Sequence, residues 1–469
     1  MTRWQGDKVR DYPTTRLSDY PTTRLLDYPE VNMNSKICTH CQEYSEVSRR
    51  TFLSRSFQSA AGLLLGNGLA ALPSWLPRIT LADPHKGPAG DTLVCIFLRG
   101  GADGLNMIVP HGDEQYYAHR PYLGIPRPDD NKAENGRTLD LDGFFGLHPA
   151  LADLHPIYNA GHLAFVHATG SPDETRSHFE AMDLMERGAA ENGDYTGWLS
   201  RHLATLDTGN NSALRAVGLG DMLPASLTGA VSATALQSIA EYHLAGQDER
   251  VGEMTALLNA LYSQRNDLLT GAAAQTFASI EVLSRIDTER YQPAGRAYAE
   301  NEFGQAMRVV AQLIKADVGV EVACVDLGGW DTHVAQGNVE GAQASLMAEL
   351  AAGLAAFYED LPDQIGSVTV VVMSEFGRRV QENGGLGTDH GHGNMMMALG
   401  GGINGRQVFA QWPGLHDEQL AGPGDLAITT DYRDVLGDII AKRLNNPKLA
   451  DIFPGYVVNE VGVAVARSH

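Results

Sequence analysis

The chain has 469 residues, a formal net charge of −22 and 20% charged residues. That length allows a large core and more than one domain. Such an excess of acid excludes nucleic acid as a partner, because phosphate binding depends on clustered Lys and Arg and on the counterions they release. Four cysteines are too few for a disulfide framework in a chain of this size.

Residues 1–32 carry an eight-residue repeat: Arg10-Asp-Tyr-Pro-Thr-Thr-Arg-Leu17, then Ser18 to Leu25, then Leu26-Asp-Tyr-Pro29. A polar, proline-containing octamer cannot bury a core, so this stretch is expected to be a disordered, non-native leader with the true start at Met33. Residues 33–82 read as a twin-arginine signal region, with Ser48-Arg-Arg-Thr-Phe-Leu53 followed by a mildly apolar run from Ala60 to Leu72. Asn67 and Pro73 interrupt that stretch, and it is too short to cross a bilayer, so no stable membrane span is expected. The twin-arginine translocation machinery is therefore an expected partner, and a periplasmic or extracellular location follows. Cys38-Thr-His-Cys41 would leave with the signal, whereas Cys95 and Cys324 sit in apolar, strand-like runs and read as core.

From residue 83 to 469 the pattern alternates strand and helix, as expected for a single α/β domain. Thr92–Leu98, Leu163–Ala168, Leu214–Leu219, Val320–Asp326 and Val368–Met373 are strand-like runs of the kind buried on both faces. Residues 233–316 are rich in Ala, Leu, Glu and Gln at helical spacing and read as a helical insertion. Strands alternating with helices predict a three-layer αβα sandwich around a largely parallel central sheet. Ligands of such sheets collect beyond the carboxyl ends of the strands. Asp103, Asp331, His333 and Glu375 all fall just past predicted strand ends.

The densest chemistry lies in Gly387-Thr-Asp-His-Gly-His-Gly-Asn394, where Asp389, His390 and His392 are spaced by glycines. Asp and His are donors for divalent metals, and glycine lets the backbone approach closely whatever those side chains surround. A second Asp-x-His, Asp331 and His333, follows the run ending at Asp326. Two such clusters near strand ends favour a metal site over a polar surface turn.

Together, Arg99-Gly-Gly-Ala-Asp-Gly-Leu-Asn106, Arg176-Ser-His-Phe179, Gly329-Trp-Asp-Thr-His333, Ser374-Glu-Phe-Gly-Arg378 and Gly387-Thr-Asp-His-Gly-His392 resemble the bacterial twin-arginine-exported proteins grouped as domain of unknown function 1501. The resemblance covers nearly all of the mature chain, and that family is similar to a branch of the alkaline phosphatase and sulfatase superfamily. It implies an alkaline phosphatase-like sheet, a site with one or two divalent metals (zinc, manganese or calcium), and a nucleophile at a helix N-terminus attacking phosphorus or sulfur. Residue by residue, it implies Asp103, Asp331, His333, Glu375, Asp389, His390 and His392 as metal ligands. The spacing departs from the superfamily pattern, and Phe376 stands where a ligand is usual. Ser177 or Thr175 would be the nucleophile ahead of the helix Glu180–Arg187, although Ser and Thr there also serve as ordinary caps. His178 is a third candidate, as nucleophile, ligand or general acid, and Arg99 and Arg176 are candidate oxyanion clamps. The implied activity is hydrolysis of phosphate or sulfate esters on small molecules or polysaccharides. The alternative is an envelope or binding protein that keeps the fold and a structural metal without catalysis.

Overall fold

A computed structural model describes residues 88–467, apart from 89, 132, 134–135, 189–194, 230–232, 243–256, 259 and 263–267. The repeat, the twin-arginine segment and part of the expected helical insertion lie outside the described residues.

Among the described residues a nine-stranded sheet forms the centre. In chain order its strands are β1 (Thr92–Leu98), β2 (Leu163–Gly170), β3 (Ala216–Leu219), β4 (Thr234–Leu236), β5 (Val322–Leu327), β6 (Val368–Ser374), β7 (Asn394–Leu399), β8 (Gln407–Phe409) and β9 (Thr430–Asp431). Across the sheet the order is β8-β2-β7-β6-β1-β5-β3-β4, with β9 also pairing with β2. Every pairing is parallel except those of β7, which runs antiparallel to both β2 and β6.

β1 shows why the sheet is covered on both faces. Its side chains alternate with period two: Val94, Ile96 and Leu98 join one apolar core, while Leu93, Cys95 and Phe97 join another. The first core packs against α4 (Glu302–Lys315) and α5 (Ala342–Asp360), through Phe303, Met307, Val310, Met347, Leu350 and Leu354. Opposite it, α1 (His178–Arg187), α2 (Trp198–Thr205) and α6 (Tyr432–Lys442) contribute Met185, Trp198, Leu199, Val435 and Ile439. The result is a three-layer αβα sandwich. Among the described residues of 233–316 are β4, α3 (Leu268–Leu283) and α4. No described helix is long and apolar enough to cross a membrane.

Local chemistry sets the helix ends. Asn301 caps α4 by accepting the Gly304 N–H at 2.8 Å. α1 stops at Gly188, whose φ of 64° is left-handed and suits glycine. At its other end Ser177 is the N-cap but makes no capping hydrogen bond.

Candidate metal centre

Five segments meet at one edge of the sheet. Three follow the carboxyl ends of β1, β5 and β6: Arg99–Asp103, Gly328–His333 and Glu375–Arg378. Ser171–Ser177 follows β2 and leads into α1, and Gly387–Gly393 runs into β7, whose antiparallel direction puts its start at that same edge. The last segment fits because its glycines allow contact. A Cβ on Gly391 would stand 2.3 Å from the Arg378 carbonyl carbon, and one on Gly387 would stand 2.3 Å from the His333 oxygen.

Asp331 is the hub. Its Oδ1 lies 2.7 Å from an Arg378 guanidinium nitrogen, 3.0 Å from His333 Nε2, 3.2 Å from His390 Nε2 and 3.5 Å from His178 Nε2. His333 Nε2 and His390 Nε2 are 2.9 Å apart. Each imidazole is held from behind through Nδ1: His178 by Glu375 Oε1 at 2.8 Å, His333 by Asp389 Oδ1 at 3.1 Å, and His390 by the Arg176 carbonyl at 2.8 Å. All three outer partners accept, so each Nδ1–H donates, and a ring without a second proton presents its Nε2 lone pair inward. Three lone pairs and a carboxylate oxygen thus face one another. Repulsion among them is relieved by protons or by a cation. His178 Nε2 is buried with no hydrogen-bond partner.

The donor set fits a metal ion. His178, Asp331 and His390 offer ligand atoms that all lie within 4.8 Å of one another. Four donors set tetrahedrally at zinc-like bond lengths stand about 3.3 Å apart, close to the spacings around Asp331. Carboxylates and a carbonyl behind the imidazoles are the usual outer support of metal-bound histidine. The electrostatics agree. Burial works to raise the Asp331 carboxyl, but Arg378 and the imidazoles outweigh it and hold it at about 2. The Glu375 hydrogen bond raises the His178 imidazole against the effect of burial, whereas burial lowers that of His390. The Phe376 ring lies 4.9 Å from both His178 and His390, an apolar wall rather than a donor.

The structure separates the other residues singled out from the sequence. Asp103 is buried elsewhere, its two oxygens 2.6 and 3.0 Å from the Arg120 guanidinium, with Gln336 Nε2 at 2.8 Å. Its carboxylate is engaged by these partners and is not among the ligand atoms that cluster with Asp331. Glu375 and Asp389 stand behind histidines. His392 turns its Nε2 to the carbonyls of Ser171 and Asp173. Arg99 is paired with Glu186 and Asp326, and Arg176 with Asp425, so neither guanidinium reaches the centre. Thr175 Oγ1 donates to Glu180 at 2.7 Å, while Ser177 is exposed at the start of α1, beside His178. His148 and His167 are buried and pushed down to about 4, each bonded to backbone.

Arg378 was not among the candidates, because an Arg is by default a solvated surface residue. Here it is fully buried and bonds the carbonyls of Gly100, Gly101, Trp330 and Thr388 as well as Asp331. One guanidinium fork thus ties three of the converging segments to its own. Its place in Ser374-Glu-Phe-Gly-Arg378 was the available signal.

The family model described as Protein of unknown function (DUF1501) matches residues 91–439. No curated protein matches the chain. Among solved structures, the chain is similar to the PsFucS1 sulfatase from Pseudoalteromonas sp., with 12% identity, TM-score 0.34, and 81% of this chain and 74% of that one covered. It is similar to the lipoteichoic acid synthase LtaP from Listeria monocytogenes, with 8% identity, TM-score 0.32, and coverages of 80% and 76%. For the alkaline phosphatase from the Antarctic bacterium TAB5 the values are 9% identity, TM-score 0.28, and coverages of 69% and 95%.

Proposed function

The chain belongs to the DUF1501 family, and from that premise we propose that it is a metal-dependent hydrolase of phosphate or sulfate esters. The observation that carries the reading is the convergence of three imidazole Nε2 atoms on Asp331 Oδ1, with that of His178 buried and unpartnered. An imidazole-rich set favours zinc or a similar transition metal over calcium, which takes six to eight oxygens. Asp103 belongs to an ion pair with Arg120, so the centre takes one metal.

When bound, a divalent metal would polarise the ester and neutralise charge on its nonbridging oxygens. The chain's own residues supply the rest. His178, His333, His390 and Asp331 hold the ion, and Glu375, Asp389 and the Arg176 carbonyl fix the imidazoles. The Ser177 hydroxyl, free of any capping bond, attacks phosphorus or sulfur and releases its proton to water. Its oxygen forms the new bond as the bond to the leaving alcohol breaks, and water then cleaves the seryl ester. The α1 N-terminus directs backbone N–H groups and a positive dipole end at the charge that develops. Export through the twin-arginine pathway belongs to the same proposal, resting on Ser48–Leu53. Arg49→Lys with Arg50→Lys would hold an exported reporter fusion in the cytoplasm.

The test is turnover of aryl phosphate and aryl sulfate by metal-loaded protein. Activity should vanish with a chelator, return with zinc, and fall by about a thousandfold or more in Ser177→Ala with the metal retained. The second reading, a non-catalytic metal-binding protein, is favoured by one observation: Arg99 and Arg176 are occupied by carboxylates and leave no guanidinium clamp. Folded, metal-loaded protein with no turnover of either ester would select it.

A further inference from the structure

His390 and His392 are two residues apart on the segment that leads into β7, which bends at His392. The Arg378–His390 bridge, the Gly377 N–H bonded to the His392 carbonyl and the Gly391 N–H bonded to the Gly377 carbonyl fix that backbone. Both imidazoles meet the loop Ser171–Ser177, but differently. His390 touches its far end, Nδ1 to the Arg176 carbonyl at 2.8 Å, and keeps Nε2 for the metal centre. His392 touches its near end, with Nε2 2.8 Å from the Ser171 carbonyl oxygen and 2.9 Å from that of Asp173. A carbonyl only accepts, so this Nε2 carries the proton and donates to both. It is not a free lone pair.

We propose that His392 is a positioning residue rather than a metal ligand. It clamps the loop that delivers three parts of the centre: the Arg176 carbonyl behind His390, the Ser177 hydroxyl, and His178 as the first residue of α1. The loop leaves the sheet at Gly170, which pairs with Asp431, and the two His392 bonds hold the carbonyls just beyond that point. Internally it is held by short Asx- and Ser-type bonds, Asp173 N–H to Ser171 Oγ at 3.3 Å and Thr175 N–H to Asp173 Oδ1 at 2.8 Å. The Arg176 pair with the buried Asp425 secures only its far end. Without the His392 clamp the loop opens more often, and His178 and the Arg176 carbonyl lose their fixed places.

The inference rests on the metal reading for its consequence but not for its primary readout, so the two fail separately. The pair of variants is His392→Ala and His392→Gln. A Gln carboxamide nitrogen has two N–H donors for the two carbonyls but is a poor metal ligand. Trypsin cleavage after Arg176, followed by mass spectrometry on metal-free protein, reports loop opening. His392→Ala should be cut about tenfold faster or more, and His392→Gln at close to the wild-type rate. Zinc affinity measured by chelator competition should fall about 10–100-fold in His392→Ala, with the stoichiometry at saturation unchanged, and recover in His392→Gln. Loss of affinity in His392→Gln equal to that in His392→Ala would make His392 a ligand and overturn the proposal. Equal trypsin sensitivity of His392→Ala and wild type would overturn it as well. A wild-type chain that binds no zinc would defeat the metal reading while leaving the proteolysis result to decide the clamp.

Discussion

Replacing Glu375 by Gln isolates one charge behind the metal centre. Glu375 has a fully buried side chain; its Oε1 accepts from His178 Nδ1–H and from the Gly100 N–H, each at 2.8 Å, and Oε2 receives the Ser374 hydroxyl at 2.9 Å. Burial tends to raise this carboxyl, but the bond from His178 and those from backbone and Ser374 hold it below the usual range, so it is ionised at neutral pH. A Gln oxygen can keep the bonds to His178 and Gly100. Its amide can donate to Ser374 Oγ, because that hydroxyl also has the Leu98 carbonyl to donate to at 2.7 Å. The hydrogen bonds survive, but the negative charge that makes His178 a better base is gone. Outer-shell changes of this kind weaken metal binding about 10–100-fold, or about 1.4–2.7 kcal/mol. Metal-free stability should hardly move. Glu375→Ala differs because it strands the Gly100 N–H and the His178 Nδ1–H, at about 1–3 kcal/mol for each buried donor left without a partner. The assay is chelator competition for zinc affinity, alongside denaturant unfolding of the metal-free proteins. A Glu375→Gln chain that binds zinc within twofold of wild type would refute the reasoning, since the charge would then do nothing for His178.

Three further outcomes follow from the geometry. Wild type should bind one zinc per chain, Asp331→Ala and His390→Ala should lose it, and Asp103→Asn should keep it, all read by metal analysis of folded protein. Arg120→Met strands a buried carboxylate and should destabilise the chain by about 3–5 kcal/mol in denaturant unfolding, with the zinc stoichiometry of the folded fraction unchanged. Asp360 contributes to the acid response of the fold: burial would raise its carboxyl, but Lys315, the Tyr291 and Tyr298 hydroxyls and the Ala294 N–H hold it below its ordinary value. A carboxyl depressed on folding stabilises fully above its unfolded pKa and loses that contribution as pH falls through the folded value. The stability gap between wild type and Asp360→Asn should therefore be constant above about pH 5 and shrink below about pH 4, as read by urea unfolding.

The sheet was legible because strands covered on both faces are nearly continuous apolar runs, and Thr92–Leu98 and Val368–Ser374 are, but for Thr92, Thr369 and Ser374. β7 is wholly buried too, but its Met run carries no β-branched signature; it follows the site with no helix between, which is the mark of an antiparallel return. At the site, what was legible was local. Asp331, His333, Asp389 and His390 come in pairs within a residue or two, and the fold brings both pairs to Asp331 Oδ1 or one bond behind it. What was not legible is decided by partners far along the chain. Asp103 follows β1 as a ligand would, yet its cation is Arg120, and no local pattern pairs the two. His178 had three roles open, and only the fold, which sets the start of α1 beside the residues that follow β5 and β6, puts its Nε2 near Asp331. His390 and His392 look alike in the sequence, one on each side of Gly391. What separates them is which nitrogen a loop more than two hundred residues upstream takes: Nδ1 of His390, which leaves Nε2 inward, but Nε2 of His392, which ties that nitrogen to the loop. The assignment of ligands in such a cluster therefore depends on tautomers, and tautomers are set by the backbone carbonyls and carboxylates behind each ring.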